Sequence, residues 1–253
     1  GMGLKVEHQK TTGARTGAGS AYAASVENLL VRVKGTASTG AILLAAHYDS
    51  VPAAPGAADD GSGVAAMLEA LRACQASPPL RNDVILLFTD AEELGLLGAE
   101  AFVGEHLWAK DVRVALNFEA RGTSGPSLMF ETGERNGAVV REWASVVPRA
   151  AGSSLTYEVY KRLPNDTDFS VFRRLGIAGL NFAFIGNWRG YHTPIDSTAN
   201  LDPGSLQHHG AAALALMQRF GAMDLAGVKE RNAVFFSVPV LRRVVRYSTA
   251  WVL

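Results

Sequence analysis

The stretch AILLAAHYD, residues 41–49, decides the fold class. Its first six residues form a short apolar run, which is the pattern of a β-strand buried on both faces of a sheet. Such a strand needs helices on both sides of its sheet, so the run favours an α/β protein with mostly parallel strands. The last three residues, His47, Tyr48 and Asp49, place an imidazole and a carboxylate directly beyond the end of that strand.

Similar runs recur along the chain and alternate with segments of helical periodicity. Further strands are predicted in VENLLVRVK (26–34), VILLF (84–88), VRVALNF (112–118) and LNFAFI (180–185). Helices are predicted over 62–75, 94–103 and 136–147, and after Asp202, an N-cap followed by Pro203. This order predicts a three-layer α/β sandwich, in which a mostly parallel, mixed sheet carries helices on both faces.

The length of 253 residues, without a linker-like stretch, predicts one domain over residues 1–253. Residues 1–25 are expected to form a ragged N-terminal segment, with a loop or hairpin over 11–25. Residues 226–253 are largely apolar, but Arg242, Arg243 and Arg246 argue against a membrane-spanning helix. This C-terminal segment is either a packed strand or helix, or a juxtamembrane segment that precedes a membrane domain.

Composition removes several classes of function. The chain carries 24 basic and 24 acidic residues and no basic block, which argues against nucleic-acid binding. Cys74 is the only cysteine, so neither an intrachain disulfide nor a thiolate metal site can form. It falls on the apolar face of the helix predicted over 62–75, where a small core residue is expected. No signal peptide is visible at the N-terminus, which leaves the localisation open.

Acidic residues and histidines follow the predicted buried strands at the point where each strand ends. Sites in such sheets lie beyond the carboxyl ends of the strands, so these side chains are expected to meet at one edge. They are His47 and Asp49 after 41–46, Asp59 and Asp60 before the next helix, Glu92 and Glu93 after 84–88, Glu119 after 112–118, and Tyr191 and His192 after 180–185.

Each of these groups also has a purely structural explanation, such as Asp60 or Ser62 capping a helix. Glu92 and Glu93 can complement the positive end of the helix that follows them. Five carboxylates at one edge would nevertheless repel one another strongly unless cations neutralised them. Two divalent ions would supply that charge and activate a water molecule, while one further glutamate moved its proton.

The motifs HYD (47–49), GAADDGSG (56–63), FTDAEELGLLG (88–98), NFE (117–119) and YHTPID (191–196) occur in this order. With them, residues 40–220 resemble the co-catalytic dizinc aminopeptidase family. NFEA and YHTPIDSTANLDP are most similar to its endoplasmic-reticulum-metallopeptidase branch. The resemblance implies a zinc-dependent metallopeptidase that removes N-terminal residues from peptide substrates. In that branch several membrane helices follow the peptidase domain, so membrane association through regions outside this sequence and an extracytoplasmic location are expected.

The resemblance also implies residue roles, with two zinc ions expected per chain. The zinc ligands would be His47, Asp59 and Glu119 for one ion, and Asp59, Glu93 and His192 for the other, with Asp59 bridging. Glu92 would be the general base and acid, and Asp49 would orient His47. Tyr191 would either donate its hydroxyl to the oxyanion or serve as a packing aromatic.

Two departures and two rival functions accompany the resemblance. Glu119 stands where most of the family has Asp, and its extra methylene could permit bidentate binding or loosen one metal, leaving a single firmly held zinc. Phe169 replaces a family histidine, so the segment 167–172 is given no role beyond local structure. The rivals are a glutaminyl-cyclase-type zinc acyltransferase and a non-catalytic interaction domain of the same fold. Such a domain would lose ligands, whereas every expected position here holds a competent residue.

Overall fold

A sheet of eight strands organises the chain. The computed structural model describes residues 2–17, 20–238, 240 and 243–251. The strands of this sheet are β1 (Glu7–Gly17), β2 (Ser20–Val33), β3 (Ala41–His47), β4 (Asp83–Thr89), β5 (Val112–Ala120), β6 (Leu128–Thr132), β7 (Ala151–Gly152) and β8 (Ala178–Phe184). Their order is β1-β2-β4-β3-β5-β8-β6-β7. The four central strands β4, β3, β5 and β8 are parallel, and β2 and β6 join them antiparallel on either side.

The central strands form because their residues are apolar on both faces. All seven residues of β3 are buried, and so are all seven of β4 and of β8. Alternate side chains of a strand point to opposite faces. Ile42 and Leu44 accordingly lie in one core, while Leu43 lies in the other. The apolar runs of the sequence are therefore strands that need cover on both sides.

Helices cover both faces of the sheet and form the two outer layers of the sandwich. They are α1 (Gly61–Cys74), α2 (Leu97–Glu105), α3 (Gly137–Val146), α4 (Ser154–Tyr160), α5 (Asp168–Arg174) and α6 (Pro203–Ala222). The helices α1, α3 and α6 pack on one face through Met67, Trp143 and Phe220. The helices α2 and α5 pack on the other face through Phe102 and Phe172. The predicted three-layer α/β sandwich is confirmed, and Cys74 is a buried core residue.

Of the loop and the hairpin considered over residues 11–25, the structure has the hairpin, whereas the prediction of a ragged segment over 1–25 is wrong from residue 7 onward. β1 pairs with β2 along its whole length, so that Glu7 lies opposite Leu30, and β2 then pairs with β4. Ion pairs hold this edge hairpin, including His8 Nδ1 to Glu27 Oε1 at 2.7 Å. The small and polar residues of β1 conceal its alternation, because both faces of an edge strand need not be apolar.

Other boundaries differ from the predicted ones for local reasons. The helix expected over 94–103 begins only at Leu97, since residues 92–96 form the turn that follows β4. The strand β6 and the helices α4 and α5 have no counterpart among the predicted elements. Each is short, at five to seven residues, and short elements give weak periodicity.

The C-terminal segment contains a second sheet, formed by β9 (Ala233–Val238) and β10 (Arg243–Ser248). Phe235 of β9 is buried, and its ring meets that of Trp143 edge to face. Ser237 Oγ accepts a hydrogen bond from the backbone of Gly152. A packed terminal strand therefore describes β9, and a membrane domain after residue 253 stays a prediction. Among the residues described, no helix combines the length and apolar character needed to cross a bilayer.

Candidate metal centre

The first candidate ligand set lies where β3 and β5 end side by side. His47 is the last residue of β3, and Glu119 is the penultimate residue of β5. His47 Nε2 lies 3.2 Å from Asp59 Oδ1 and 3.6 Å from Glu119 Oε2. All three side chains are buried, and their potential ligand atoms lie within 4.8 Å of one another.

The second candidate set shares Asp59 with the first. His192 Nε2 lies 3.1 Å from Asp59 Oδ2 and 2.9 Å from Glu93 Oε1. The two carboxylate oxygens of Asp59 therefore face different histidines, Oδ1 toward His47 and Oδ2 toward His192. This is the arrangement that a carboxylate bridging two metal ions requires. The two groups of three side chains that the family resemblance implies as ligands each lie close together in the structure.

The residues present fit zinc on the chemistry of their donors and on their unmet contacts. Neutral imidazole and carboxylate oxygen are both zinc ligands, and each triad supplies one imidazole and two carboxylates. The buried atoms Glu93 Oε1 and His192 Nε2 face each other but make no hydrogen bond within the described part of the chain. Buried polar atoms seldom stay unpartnered, and a cation between these two would satisfy both.

Asp59 is held in its bridging position by a buried carboxylate that faces its backbone. Asp196 Oδ1 accepts from the backbone of Ala58 at 2.6 Å, and Asp196 Oδ2 accepts from the backbone of Asp59 at 3.1 Å. The peptide bond between Asp59 and Asp60 is cis. Asp60 caps α1 through Gly63 and also accepts from the backbone of His47. These contacts tie the ends of β3 and α1 to the loop that carries His192.

His47 is oriented mainly by the backbone of Asp49. Its Nδ1 donates to the Asp49 carbonyl at 2.9 Å, whereas the Asp49 carboxylate lies farther away, at 3.5 Å. That carboxylate instead accepts from the backbone amides of Glu92 and Glu93, at 3.0 and 3.2 Å. Because Nδ1 carries the proton, Nε2 is left with a lone pair for a metal ion. Asp49 thus contacts His47 through its backbone carbonyl and the turn containing Glu92 and Glu93 through its carboxylate.

Glu119 is held by a ladder of buried side-chain amides that crosses three strands. Asn117 Nδ2 donates to Glu119 Oε1 at 2.9 Å and to Asn181 Oδ1 at 3.1 Å. Asn181 Nδ2 donates in turn to Glu131 Oε2 at 3.0 Å and to Thr167 Oγ1 at 2.8 Å. Asn117 lies opposite Asn181 in the β5–β8 register, and Asn181 lies opposite Glu131 in the β8–β6 register. One oxygen of Glu119 is therefore fixed by an amide, and the other faces His47.

The pKa shifts of the clustered side chains indicate a site with a high density of negative charge, which favours cations. Burial opposes charging of His47, yet its contacts with Asp49, Asp59 and Glu119 raise its pKa well above the ordinary value. Burial likewise opposes ionisation of Asp59, yet its contacts with His192 and His47 lower its pKa. Burial and the neighbouring Asp59 carboxylate raise the pKa of Glu93 to about 7. Protons thus occupy part of a cluster whose carboxylates would otherwise repel one another.

Glu92 and Tyr191 border the two ligand sets. Glu92 belongs to a third close group with His47 and Glu93, so its carboxylate lies within reach of both triads. Burial, reinforced by the carboxylates of Glu119 and Asp168, raises the pKa of Glu92 well above the ordinary value. The ring of Tyr191 stacks on that of His192, with 3.7 Å between ring centroids.

A cavity of about 870 Å³ opens onto these groups. Its floor contains His47, Asp59, Glu92, Glu93 and Glu119. Much of its wall is apolar or aromatic, formed by Leu128, Phe130, Val159, Tyr160, Leu163, Ile185 and Trp188. Trp188 is exposed and lines the cavity. Acid–base groups at the bottom of a largely apolar cavity are the usual form of an active site.

Sequence reasoning overlooked the residues that hold the ligands. Asn117, Asn181 and Asp196 lay inside quoted stretches but were given no role, although a polar side chain in a buried strand is itself a signal. Asp168 was assigned only local structure. It is buried, accepts a hydrogen bond from Thr89 Oγ1, and has its pKa raised to about 7 by burial.

An open, mostly parallel sheet with two carboxylate-linked histidine triads beyond its strand ends is the arrangement expected of a binuclear metal hydrolase. The chain belongs to peptidase family M28, whose model matches residues 28–217. It is 35% identical to endoplasmic reticulum metallopeptidase 1 of Mus musculus over 248 residues. That match covers 93% of this chain but 28% of the relative, so the chain spans little more than a quarter of the relative's length. The family resemblance noted from the motifs is confirmed.

Solved structures give the same fold. A zinc aminopeptidase from Bacillus subtilis matches with a TM-score of 0.57 and 26% identity, over 76% of this chain and 49% of the other. The glutaminyl cyclase of Fimbriiglobus ruber matches with a TM-score of 0.64 and 19% identity, over 86% of this chain and 82% of the other. At 19% identity, the match to the glutaminyl cyclase shows a similar fold only.

Proposed function

We propose that the chain is a zinc-dependent aminopeptidase that hydrolyses the N-terminal residue from peptides and binds two zinc ions. The observation that carries the proposal is the sharing of Asp59 by two triads, each with its own histidine. One carboxylate with its two oxygens facing two imidazoles suits a pair of ions, one for each triad.

The chain's own residues divide the work of the reaction. His47, Asp59 and Glu119 would hold one ion, and Asp59, Glu93 and His192 the other. When bound, the metal pair supplies Lewis acidity that activates a water molecule and polarises the scissile carbonyl. Glu92 takes the proton of that water and passes it to the leaving amine, for which its raised pKa is suited. Tyr191 lines the cavity and stacks on His192, and we assign its hydroxyl as the donor to the developing oxyanion.

Recognition of a free N-terminus follows from the charge of the floor. Five carboxylates line the cavity, and together they favour the ammonium group of a peptide over a neutral or anionic end. The apolar wall of the cavity leaves room for a side chain of the substrate. We therefore assign peptides with an unblocked amine as the substrates.

Replacement of Glu92 by Gln tests the assigned base. The variant keeps the shape of the side chain and every proposed ligand, so it should bind zinc normally and lose turnover by about two orders of magnitude or more. Hydrolysis of aminoacyl p-nitroanilides measures turnover, and elemental analysis measures zinc. A fully active Glu92→Gln protein would refute the role of Glu92 without touching the metal assignment.

The rival reading as a glutaminyl-cyclase-type acyltransferase predicts one zinc and release of pyroglutamyl peptides. Two complete triads favour the peptidase. Incubation with a peptide beginning in glutamine separates the two activities, since only the cyclase forms pyroglutamate. An interaction domain without activity would show neither product.

The setting of the protein is also a proposal. We infer that the longer protein containing this chain is membrane-anchored with its peptidase domain outside the cytosol. Support comes from the name of the mouse relative, from that of the vacuolar membrane protease of Candida albicans, which is 37% identical over 224 residues, and from the small share of each that this chain spans. Protease protection of the full-length protein in intact microsomes tests this location.

A further inference from the structure

Arg121 is a fixed arginine at the border of the metal centre that the proposed mechanism does not use. It follows the last residue of β5, two residues after Glu119, and its backbone amide donates to the carbonyl of Phe184 at 2.9 Å. Its guanidinium lies over the ring of Tyr191, 5.1 Å from the centroid. That ring in turn stacks on His192. Arg121, Tyr191 and a proposed zinc ligand thus form one stack on the cavity wall.

The charge of Arg121 has no protein counterpart within the described part of the chain. No carboxylate lies within 4.0 Å of its guanidinium there, although five carboxylates line the same cavity floor or wall nearby. The other arginine that lines the cavity, Arg15, is paired with Asp166 at 2.9 Å. Glu119, two residues before Arg121, is turned toward His47 instead.

The surroundings of Arg121 suit a bound anion. A guanidinium presents a planar fork of donors that matches a carboxylate in bidentate fashion, and an aromatic ring against its face leaves the edge donors open. Aromatic and apolar groups such as Phe130, Tyr160 and Ile185 line the same cavity. Charge-assisted hydrogen bonds are stronger in such a setting than in open water.

The distances suit a very short substrate. The guanidinium lies 5.1 Å from the centroid of the Tyr191 ring, and the centroid of the His192 ring lies 3.7 Å from the same point, so both groups contact one ring. An extended peptide advances roughly 3.3–3.6 Å per residue. Because Arg121 and the proposed ligand His192 contact the same ring, the carboxylate that Arg121 binds belongs within about one residue of the scissile bond, as a C-terminus or an acidic side chain.

We propose that Arg121 binds a substrate carboxylate one residue beyond the scissile bond, so that the preferred substrates are dipeptides with a free C-terminus. This inference rests on the proposed peptidase function. The acidic floor binds the ammonium end of such a zwitterion, and Arg121 binds its carboxylate end.

Binding to the inactive, zinc-loaded Glu92→Gln protein tests the proposal without requiring turnover. Calorimetry should give leucyl-alanine a dissociation constant roughly 10- to 100-fold lower than leucyl-alaninamide, the range expected for hydrogen bonds between charged groups. Adding Arg121→Gln should abolish that difference and leave leucyl-alaninamide binding unchanged. Arg121→Lys should retain part of it, because a lysine keeps the charge but loses the fork. Leucyl-aspartamide shows whether an acidic side chain serves as well as the C-terminus.

Arg189→Gln is the matched control, since Arg189 also lies over an aromatic ring, that of Trp188, but is exposed and does not line the cavity. It should leave both dissociation constants unchanged. Equal binding of the dipeptide and its amide by the parent protein would overturn the proposal. So would an equal loss for both ligands in Arg121→Gln, which would make Arg121 a mere support for Tyr191. Absence of peptide hydrolysis by the unsubstituted protein would instead refute the proposed function, whatever the calorimetry gives.

Discussion

Replacement of Asn117 by Ala removes the donor that fixes Glu119 without touching a proposed ligand. Asn117 Nδ2 donates to Glu119 Oε1 and to Asn181 Oδ1, and all three side chains are buried. The variant leaves two buried acceptors without a donor. Each costs about 1–3 kcal/mol, so the free energy of unfolding of the metal-free protein should fall by about 2–6 kcal/mol.

The effect on metal binding should be larger than stability alone explains. With Oε1 held by the amide, Glu119 presents only Oε2 toward His47 and should bind in monodentate fashion. Loss of a partner that orients a ligand typically costs 10- to 100-fold in metal affinity. Competition with a chromophoric chelator, under conditions where the variant is fully folded, should show this loss for one of the two zinc ions and little change for the other.

Asn82→Ala is the control, because Asn82 is an equally buried asparagine next to the amino end of β4, far from the site edge. Its Nδ2 donates to the carbonyls of Phe220 and Met223, and its Oδ1 accepts from Thr39. This variant should lose comparable stability and no zinc affinity. Unchanged zinc binding in Asn117→Ala, or an equal loss in Asn82→Ala, would refute the assignment of Asn117 as the residue that positions Glu119.

Three further predictions concern other parts of the molecule. Asp196→Ala should lower zinc affinity at both sites by about 10- to 100-fold, because Asp196 holds the backbone of the bridging Asp59; undiminished affinity in a chelator titration would contradict this. Zinc affinity should fall as the pH drops below about 7, because the ion must displace the proton that the raised pKa of Glu93 retains; a flat titration between pH 8 and 6 would count against it. Burial lowers the pKa of His209 to about 3 in the folded protein, whereas the value in the unfolded chain is near 6.5. As the pH falls below about 6.5, only the unfolded chain takes up this proton, so the free energy of unfolding decreases. Below that pH, urea unfolding should show the parent losing about 1.4 kcal/mol per pH unit more than His209→Gln, and parallel profiles would exclude the idea.

The parts of the fold that could be predicted from the sequence are those whose residue pattern is compatible with a single structure. The apolar runs that became β3, β4, β5 and β8 can be buried only between two layers of helices, so the architecture followed from them. The start of the edge hairpin at Glu7 and the short elements β6, α4 and α5 were missed, because their burial depends on partners distant in sequence. Pairing of β6 with β8 joins residues about fifty positions apart, and no local pattern records that.

The proposed ligands could be predicted from the positions of strand ends, whereas the residues that hold them depend on strand register. His47, Glu93 and Glu119 stand next to strand ends, where the carboxyl edge of a parallel sheet gathers them. The partnership of Asn117 with Asn181 requires the register of two strands, which periodicity does not determine. The carboxylate of Asp49 was assigned to His47 from their spacing, but in the fold the turn after β4 offers it two free backbone amides.

The most direct test of the two-zinc centre is a crystal structure with anomalous scattering data collected at the zinc edge, accompanied by elemental analysis of the same protein. Two ions per chain are predicted, about 3.5–4 Å apart, with one oxygen of Asp59 on each and with His47 and His192 on different ions. A protein that holds no zinc after loading, or ions bound away from these three side chains, would contradict the account.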